Sequence, residues 1–510
     1  MINKQFKKNF KINVISFLIN LILAVLYIPY LIQNLGISAY GIVPLALIIN
    51  QYIKVLTTSL TSSLSRFYSI AIESNDTVKA SSYLSTTFFS FIIFSLIFVP
   101  ISFLFSLNID MFFNISNEFI DDAIKLFIFS LLALSVSLFS NLFGIVFYVK
   151  NRLDYIKYLS IGRVLLKFLI IILLFNLLSI RVYYVGLASL ISEFLLLVFS
   201  LFLYNKISDK DVVIKFRFFD KLVFMPVLIM SIWVIIQQVG DIFLYRIDTI
   251  LINLFFGVYK TGVIGAISEL GLYFTISIGV FSSLFGPIIL NEYSNSNHSA
   301  VKELTVFSSF LTGFIAAVIA GISVSLSDQI LKFWIGDEFS GFYLWLSMKL
   351  FLVPFFVSGG VFAFTYRAWN KVKIPAVITL VLGFINLILS YSILSFYSKT
   401  TYSIEIILLL SLIISIIQCY LLNALIFTGI YKDKLNDVIN NFFRIALVFI
   451  LSFCCAFVLR QFVFEFTIPI LLLFFLITFF FSGYLSFQII FIQKEKNKII
   501  DLIKNFLSLR

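Results

Sequence analysis

The 510-residue chain has one histidine, three cysteines and only 12% charged residues. A single histidine, His298, excludes His-based catalysis, haem ligation and multi-histidine metal sites. Cys419, Cys454 and Cys455 lie in apolar stretches without a C-x-x-C partner, so neither a disulfide framework nor a zinc site is supported. They read as small buried apolar residues. There is no G-x-x-x-x-G-K-[ST] loop, nucleophile elbow, H-E-x-x-H helix or dinucleotide fingerprint. The chain therefore carries no ATP site of that type, no implied cofactor and no recognisable enzyme chemistry. No loop exceeds roughly 17 residues, which leaves no soluble domain, and no basic run is long enough for a nucleic-acid patch. Transport, channel activity and lipid-facing enzymology remain.

What is abundant is apolar surface: 61% hydrophobic residues, 64 phenylalanines and a mean hydropathy of +1.08. Soluble chains are about a quarter charged, so this composition needs lipid as its solvent. A bilayer-crossing helix takes ~20 mostly apolar residues. Fourteen such segments are expected, at about 11–33, 40–64, 82–106, 121–148, 157–178, 182–204, 222–250, 260–289, 303–327, 342–366, 373–397, 404–429, 442–460 and 467–492. Lys4, Lys7, Lys8 and Lys11 precede the first, which is too long for a signal peptide and reads as an uncleaved helix. With the N-terminus inside, 26 basic residues fall on the inner side. Five fall outside: Arg181, Lys260, Lys332, Lys399 and Arg460. This bias explains the net charge of +12 and predicts that both termini are cytoplasmic.

The expected architecture is an all-α polytopic membrane protein with two pseudo-symmetric six-helix lobes. The first lobe covers 1–204, a charged cytoplasmic connector 205–221, the second lobe 222–430, and two extra helices with a cytoplasmic tail 431–510. An internal repeat motivates the division. Leu35-Gly36-Ile37-Ser38-Ala39-Tyr40-Gly41-Ile42 compares with Phe256-Gly257-Val258-Tyr259-Lys260-Thr261-Gly262-Val263, and Ser62-Ser63 and Val78-Lys79 have later counterparts at offsets of 220 to 223.

Charge inside the helices is the positive signal. A Lys, Arg or Asp at the bilayer centre costs ~2.5–3.5 kcal/mol on insertion scales, so it faces protein or water. The basic set is Lys54, Arg163, Lys167, Arg246 and Lys349; the acidic set is Glu193, Asp241, Asp248 and Glu269. Arg163 and Lys167 are four apart on one helix face, which suits a dianion such as phosphate or pyrophosphate. Alternatively, acidic neighbours on other helices neutralise them, with Glu193 a candidate. Asp241, Leu244, Tyr245 and Asp248 form one stripe, fit either to carry a coupling proton or Na⁺ or to pair with Arg246. Glu269, beside Gly265 and Gly271, and Glu193 are further coupling candidates.

Tyr27-Ile28-Pro29-Tyr30 through Gly41-Ile42-Val43-Pro44-Leu45 resembles the opening of Wzx-type polysaccharide repeat-unit flippases, as does Ser63-Leu64-Ser65-Arg66-Phe67. Asp248-Thr249-Ile250-Leu251-Ile252-Asn253 resembles the family's seventh-helix exit. Asn370-Lys371-Val372-Lys373-Ile374-Pro375-Ala376 and Gly383-Phe384-Ile385-Asn386-Leu387 resemble its eleventh-helix entry. The wider group is the multidrug/oligosaccharidyl-lipid/polysaccharide exporter superfamily. The resemblance implies translocation of an undecaprenyl-pyrophosphate-linked oligosaccharide across the bacterial inner membrane, as in O-antigen, lipopolysaccharide or capsule assembly. It also implies two lobes rocking about a cationic central cavity, energy from H⁺, Na⁺ or the membrane potential, and polysaccharide polymerase or chain-length machinery as partners. The two extra C-terminal helices depart from the twelve of many Wzx-type proteins, and the fourteen-helix lipid II flippases share them. A cation-coupled multidrug exporter of the same superfamily is the alternative. A membrane O-antigen polymerase or ligase fits less well, because the outer loops are short.

Overall fold

Hydrocarbon offers backbone amides no water, so a lipid-embedded chain pairs them within helices. The computed structural model describes residues 4–150, 152–208, 211–369, 371, 373–397, 402–431, 436–463, 465–491, 493 and 495–496, and among them there is no strand. Of the residues named above, Asn370, Val372 and Lys399 lie outside the described residues, as do seven of the 26 inner basic residues: Lys210, Lys432, Lys434, Lys494, Lys498, Lys504 and Arg510.

The first stretch of chain forms α1 (Lys4–Leu35), α2 (Ile37–Tyr40), α3 (Ile42–Glu73), α4 (Thr77–Leu107), α5 (Ile120–Val149), α6 (Leu153–Leu177) and α7 (Tyr184–Ile207). After the connector come α8 (Lys221–Tyr245), α9 (Ile247–Ser283), α10 (Phe285–Ser294), α11 (His298–Ser325) and α12 (Ser327–Ile335). These are followed by α13 (Tyr343–Gly360), α14 (Phe362–Ala368), α15 (Lys373–Tyr397) and α16 (Ser403–Ile416). A π-helical turn (Ile417–Leu422) leads into α17 (Asn423–Tyr431), then α18 (Asn436–Arg460) and α19 (Ile468–Ile490). Among the described residues, thirteen helical spans are long and apolar enough to cross a bilayer, and the apolar stretch Ser231–Tyr245 of α8 stands in the seventh expected position. All fourteen expected segments thus have a helical counterpart.

The internal repeat is visible in the backbone with a fixed register of 221 residues. Gly36 and Gly257 share a positive φ (77° and 74°), and so do Asn75 and Ser296 (56° and 58°). The next residues, Asp76 and Asn297, both cap a following helix: Asp76 accepts from the Lys79 amide and Asn297 from the Ala300 amide. The turns before them are bonded alike, with Asp76 N–H donating to Ala71 O (2.9 Å) and Asn297 N–H to Glu292 O (3.0 Å).

The repeated glycine corners pack on each other. A Cβ on Gly41 would collide with the Val258 carbonyl, and a Cβ on Gly262 with the Ile37 carbonyl. These two approaches exchange under the same 221-residue shift. Pro44 and Gly265, themselves counterparts, touch directly, so a local pseudo-two-fold axis runs between them. Small residues here do what they do in membranes generally: they let backbones come close.

By packing, the chain forms two compact units, Met1–Ala266 with Thr379–Leu394, and Ile267–Ile378 with Ser395–Arg510. This differs from the expected lobe boundary at 205–221. In the first unit, α8 packs on α3: the Ser231 hydroxyl donates to Ser59 O (3.2 Å) and the Tyr52 and Phe243 rings lie 5.9 Å apart. Gly240 and Gly383 bring α8 and α15 to backbone contact. Shared glycine and hydroxyl contacts, rather than chain order, set this grouping.

In the second unit, Gly313 and Gly321 on α11 admit α18, against Ile445 and the Phe449 carbonyl. Two arginines fix α18 at its ends. Arg460 donates to Ser325 O (2.7 Å) and to both Asp328 oxygens (2.9 and 2.5 Å). Arg444 donates to Ile490 O (3.0 Å) and to both Glu495 oxygens (3.0 and 2.5 Å), with its guanidinium 3.8 Å from the centre of the Phe310 ring. The extra helices are therefore built into this unit. Among the cysteines, Cys419 is buried here, whereas Cys454 is exposed on the surface of α18, contrary to the expectation that all three are buried.

Gly41→Ala and Gly262→Ala should each destabilise the folded protein by about 1–3 kcal/mol through overpacking. Gly144→Ala, at a helical position with nothing within 4 Å, should be neutral or slightly stabilising. Thermal unfolding in nanodiscs compares the three; equal melting temperatures would remove the corner contact from the account.

Candidate functional site

The first unit gathers four of the expected site residues. α6 carries Arg163 and Lys167 one turn apart and lies against both α1 and α7. Its contact with α1 runs through the Tyr27 and Tyr30 rings, edge-on to Phe168 at 6.0 and 5.7 Å, and through Asn20 donating to the Ser160 hydroxyl (3.3 Å). Towards α7, a Cβ on Gly162 would stand 3.1 Å from the Leu196 side chain. That close approach brings the residue after Gly162 within reach of Glu193.

Arg163 and Glu193 form a two-point ion pair, Nε to Oε1 at 2.5 Å and Nη2 to Oε2 at 3.3 Å. The side chains are 34% and 10% exposed respectively, so the carboxylate is the more enclosed partner. Lys54, in the middle of α3 and exposed, is close enough to interact electrostatically with both Arg163 and Glu193. Lys167 holds its ammonium 5.2 Å from the centre of the Tyr27 ring, a cation–π contact that lowers the cost of a charge at this depth. Glu193, named among the candidate partners, thus pairs with Arg163.

The expected stripe on the seventh span is not one face of one helix. The chain breaks at Arg246, leaving Asp241 half-buried on α8 and Asp248 buried in the first turn of α9. The break frees helix-end carbonyls, which hydrocarbon would leave unpaired. Asn386 on α15 answers this by donating its amide to Phe243 O (3.1 Å) and Leu244 O (3.3 Å). The Asp248 carboxylate accepts from the Thr249 amide (2.8 Å). A second interruption follows at Gly257, where Asn253 and Asn114 exchange side-chain and backbone bonds (2.9 and 3.3 Å).

Glu269 and Lys349 are half-buried and belong to the other unit, where the Lys349 β-carbon packs against Gly271. The structure thus brings Lys54, Arg163, Lys167 and Glu193 together, places Asp241, Arg246 and Asp248 about a helix break, and assigns Glu269 and Lys349 to the second unit. Among the described residues no three His, Cys, Asp or Glu side chains form a metal site. Sequence reading gave no role to Trp345, whose indole N–H donates to Glu405 (2.8 Å), or to the arginine pairs of α18. Their partners are tens of residues away in sequence, outside any helical spacing that would have linked them.

Removing one partner of an enclosed ion pair costs more than removing both. Arg163→Leu alone should destabilise the protein by about 2–4 kcal/mol, allowing for the partial exposure of the arginine. Arg163→Leu with Glu193→Leu should recover most of that loss. A double-mutant cycle by thermal unfolding reads the coupling; additive single effects would show that the pair contributes nothing.

Residues 6–291 match the family model described as "Polysaccharide biosynthesis protein". The chain is 26% identical over 446 residues to the uncharacterized membrane protein EpsK of Bacillus subtilis (strain 168), covering 85% of this chain and 84% of that protein. Among solved structures it is similar to the lipid II flippase MurJ in an inward closed conformation. That match has a TM-score of 0.70 and 16% identity, covering 94% of this chain and 98% of the other. It is also similar to a multidrug resistance MATE family transporter of the MOP superfamily in an inward-facing conformation. There the TM-score is 0.68 with 14% identity, over 82% and 96% of the two chains. The fold is that of these flippases and exporters, and the chain itself belongs to the polysaccharide biosynthesis protein family.

Proposed function

We propose that the protein is a flippase moving undecaprenyl-pyrophosphate-linked oligosaccharide units across the bacterial inner membrane by alternating access. Both termini lie in the cytoplasm on this reading. The reading is carried by the Arg163–Glu193 pair, with Lys54 in electrostatic reach of it and Lys167 one turn along the same apolar helix. A pyrophosphate requires such donors: the guanidinium fork matches phosphate oxygens in two-point geometry, and lysine ammonium groups add positive charge around it. Membership of the polysaccharide biosynthesis family supports the glycan, and the flippase-like fold supports movement of a lipid. Arg246 and Lys349 are proposed to contact the same substrate at other stages. The reaction is translocation, so no bond is made or broken and no cofactor is needed.

Asp241, Asp248 and Glu269, with Glu193 as a further candidate, are the proposed coupling groups, and Asp241 is the foremost because it lies on the stretch of α8 packed against α3. The glycan emerges on the outer face, where a polysaccharide polymerase would consume it. A multidrug exporter of the same superfamily shares the fold, but its drug cations would meet the Lys54, Arg163 and Lys167 charges unfavourably.

Arg163→Ala with Lys167→Ala, compared at matched amounts of inserted protein, should lower surface polysaccharide display at least tenfold in an immunological or lectin assay. Normal display in that double variant would remove these residues from transport. Asp241→Asn should leave substrate binding intact while making translocation insensitive to an imposed ion gradient; unchanged gradient dependence would exclude Asp241 as the coupling group.

A further inference from the structure

The Arg163–Glu193 pair raises a problem for any anion that uses this site. The Nε and Nη2 hydrogens of Arg163 already serve the two oxygens of Glu193 (2.5 and 3.3 Å). Arg163 has two such edges, Nε–Nη2 and Nη1–Nη2: carboxylate and phosphate compete for the first on equal geometric terms, and the second is where an incoming anion can make first contact. An incoming phosphate can take the Nε–Nη2 edge only if Glu193 gives it up.

We infer that Glu193 is a built-in stand-in for the substrate anion, holding Arg163 while the carrier is empty and yielding it when the substrate's phosphate arrives. The inference rests on the anion-binding reading of the same site and assigns Glu193 a role other than ion coupling. Two further features of the geometry support it. Glu193 is the more enclosed partner of the pair, so it is fixed from behind by α7 while Arg163 keeps a third of its surface open to a ligand. Lys54 lies within electrostatic reach of both, so a displaced Glu193 carboxylate moves to an adjacent cation rather than into hydrocarbon.

The arrangement serves both halves of a transport cycle. An empty carrier must reset its conformation within the bilayer, and an uncompensated arginine at membrane depth costs several kcal/mol. With Glu193 in place, the empty return carries a neutral pair. In the loaded stroke, the substrate supplies the counter-charge. On release, Glu193 reclaims Arg163 and opposes rebinding, so binding is weakened in exchange for turnover. Glu193 is on this account a positioning residue, and its removal should tighten binding while slowing transport.

The test uses the full-length protein in nanodiscs and proteoliposomes, with a short-chain prenyl pyrophosphate and inorganic sulfate as binding probes. Glu193→Gln keeps the size and hydrogen-bonding capacity but removes the charge. It should bind the prenyl pyrophosphate about tenfold more tightly while translocation slows about tenfold; Glu193→Asp should stay near the unmodified protein in both. A folded Glu193→Gln protein that binds neither probe more tightly overturns the inference, as does one that turns over at the unmodified rate. If the unmodified protein ignores prenyl pyrophosphate but Glu193→Gln still tightens sulfate binding tenfold, the lipid-linked substrate reading fails. The stand-in role then survives. In a protein already carrying Arg163→Ala, adding Glu193→Gln should leave binding unchanged; tighter binding there would also overturn the inference.

Discussion

Hydrocarbon satisfies neither a charge nor a backbone amide, and every distinctive feature of this chain answers that constraint. With 61% apolar residues and 12% charged ones, the few buried charges must be held by other parts of the protein. Arg163 meets Glu193, Arg444 meets Glu495 and a helix-end carbonyl, and Arg460 meets Asp328 and the Ser325 carbonyl. Where the helix breaks at Arg246, Asn386 from α15 takes the freed carbonyls of Phe243 and Leu244. Polar side chains here repair interruptions in a helical bundle.

A second layer of organisation comes from duplication. The 221-residue register links Gly36 with Gly257, Asn75 with Ser296 and the caps Asp76 and Asn297, although these pairs are chemically mixed. What the repeat preserves is backbone conformation: left-handed residues at matching corners and a capped helix after each. The reciprocal contacts of Gly41 with Val258 and Gly262 with Ile37 join the matching corners. The paired arginine does not obey the repeat. Arg163 corresponds in register to Phe384, so the cationic group is a property of one half only.

This contrast explains what could be read from sequence. Span number, the helical counterpart of each segment and the glycine repeat were legible, because hydropathy and residues permitting a positive φ leave local signals. Arg163, Lys167 and Glu193 were legible as intramembrane charges, and spacing placed the first two on one face. Glu193 was legible only as a candidate partner, since it and Arg163 sit on different helices and the close α6–α7 approach at Gly162 decides that they meet. The break at Arg246 was hidden because hydrophobicity continues through it, which is why Asp241 and Asp248 read as one stripe. The grouping of α8 and α15 with the first unit was hidden for a related reason: Gly240, Gly383 and Ser231 set it through contacts that chain order does not display.

On the proposed reading the protein is a carrier whose working charge is held inside the helical bundle, compensated from within when idle and by an anion when loaded. The most direct measurement is translocation itself: the purified protein in liposomes, with a pyrophosphate-linked oligosaccharide lipid on one leaflet and a glycan-specific probe on the other side. The account predicts that the lipid becomes accessible to the probe with the unmodified protein and stays protected when Arg163 and Lys167 are both alanine. Export of cationic drugs by the same liposomes, with the glycolipid left on its original leaflet, would contradict it.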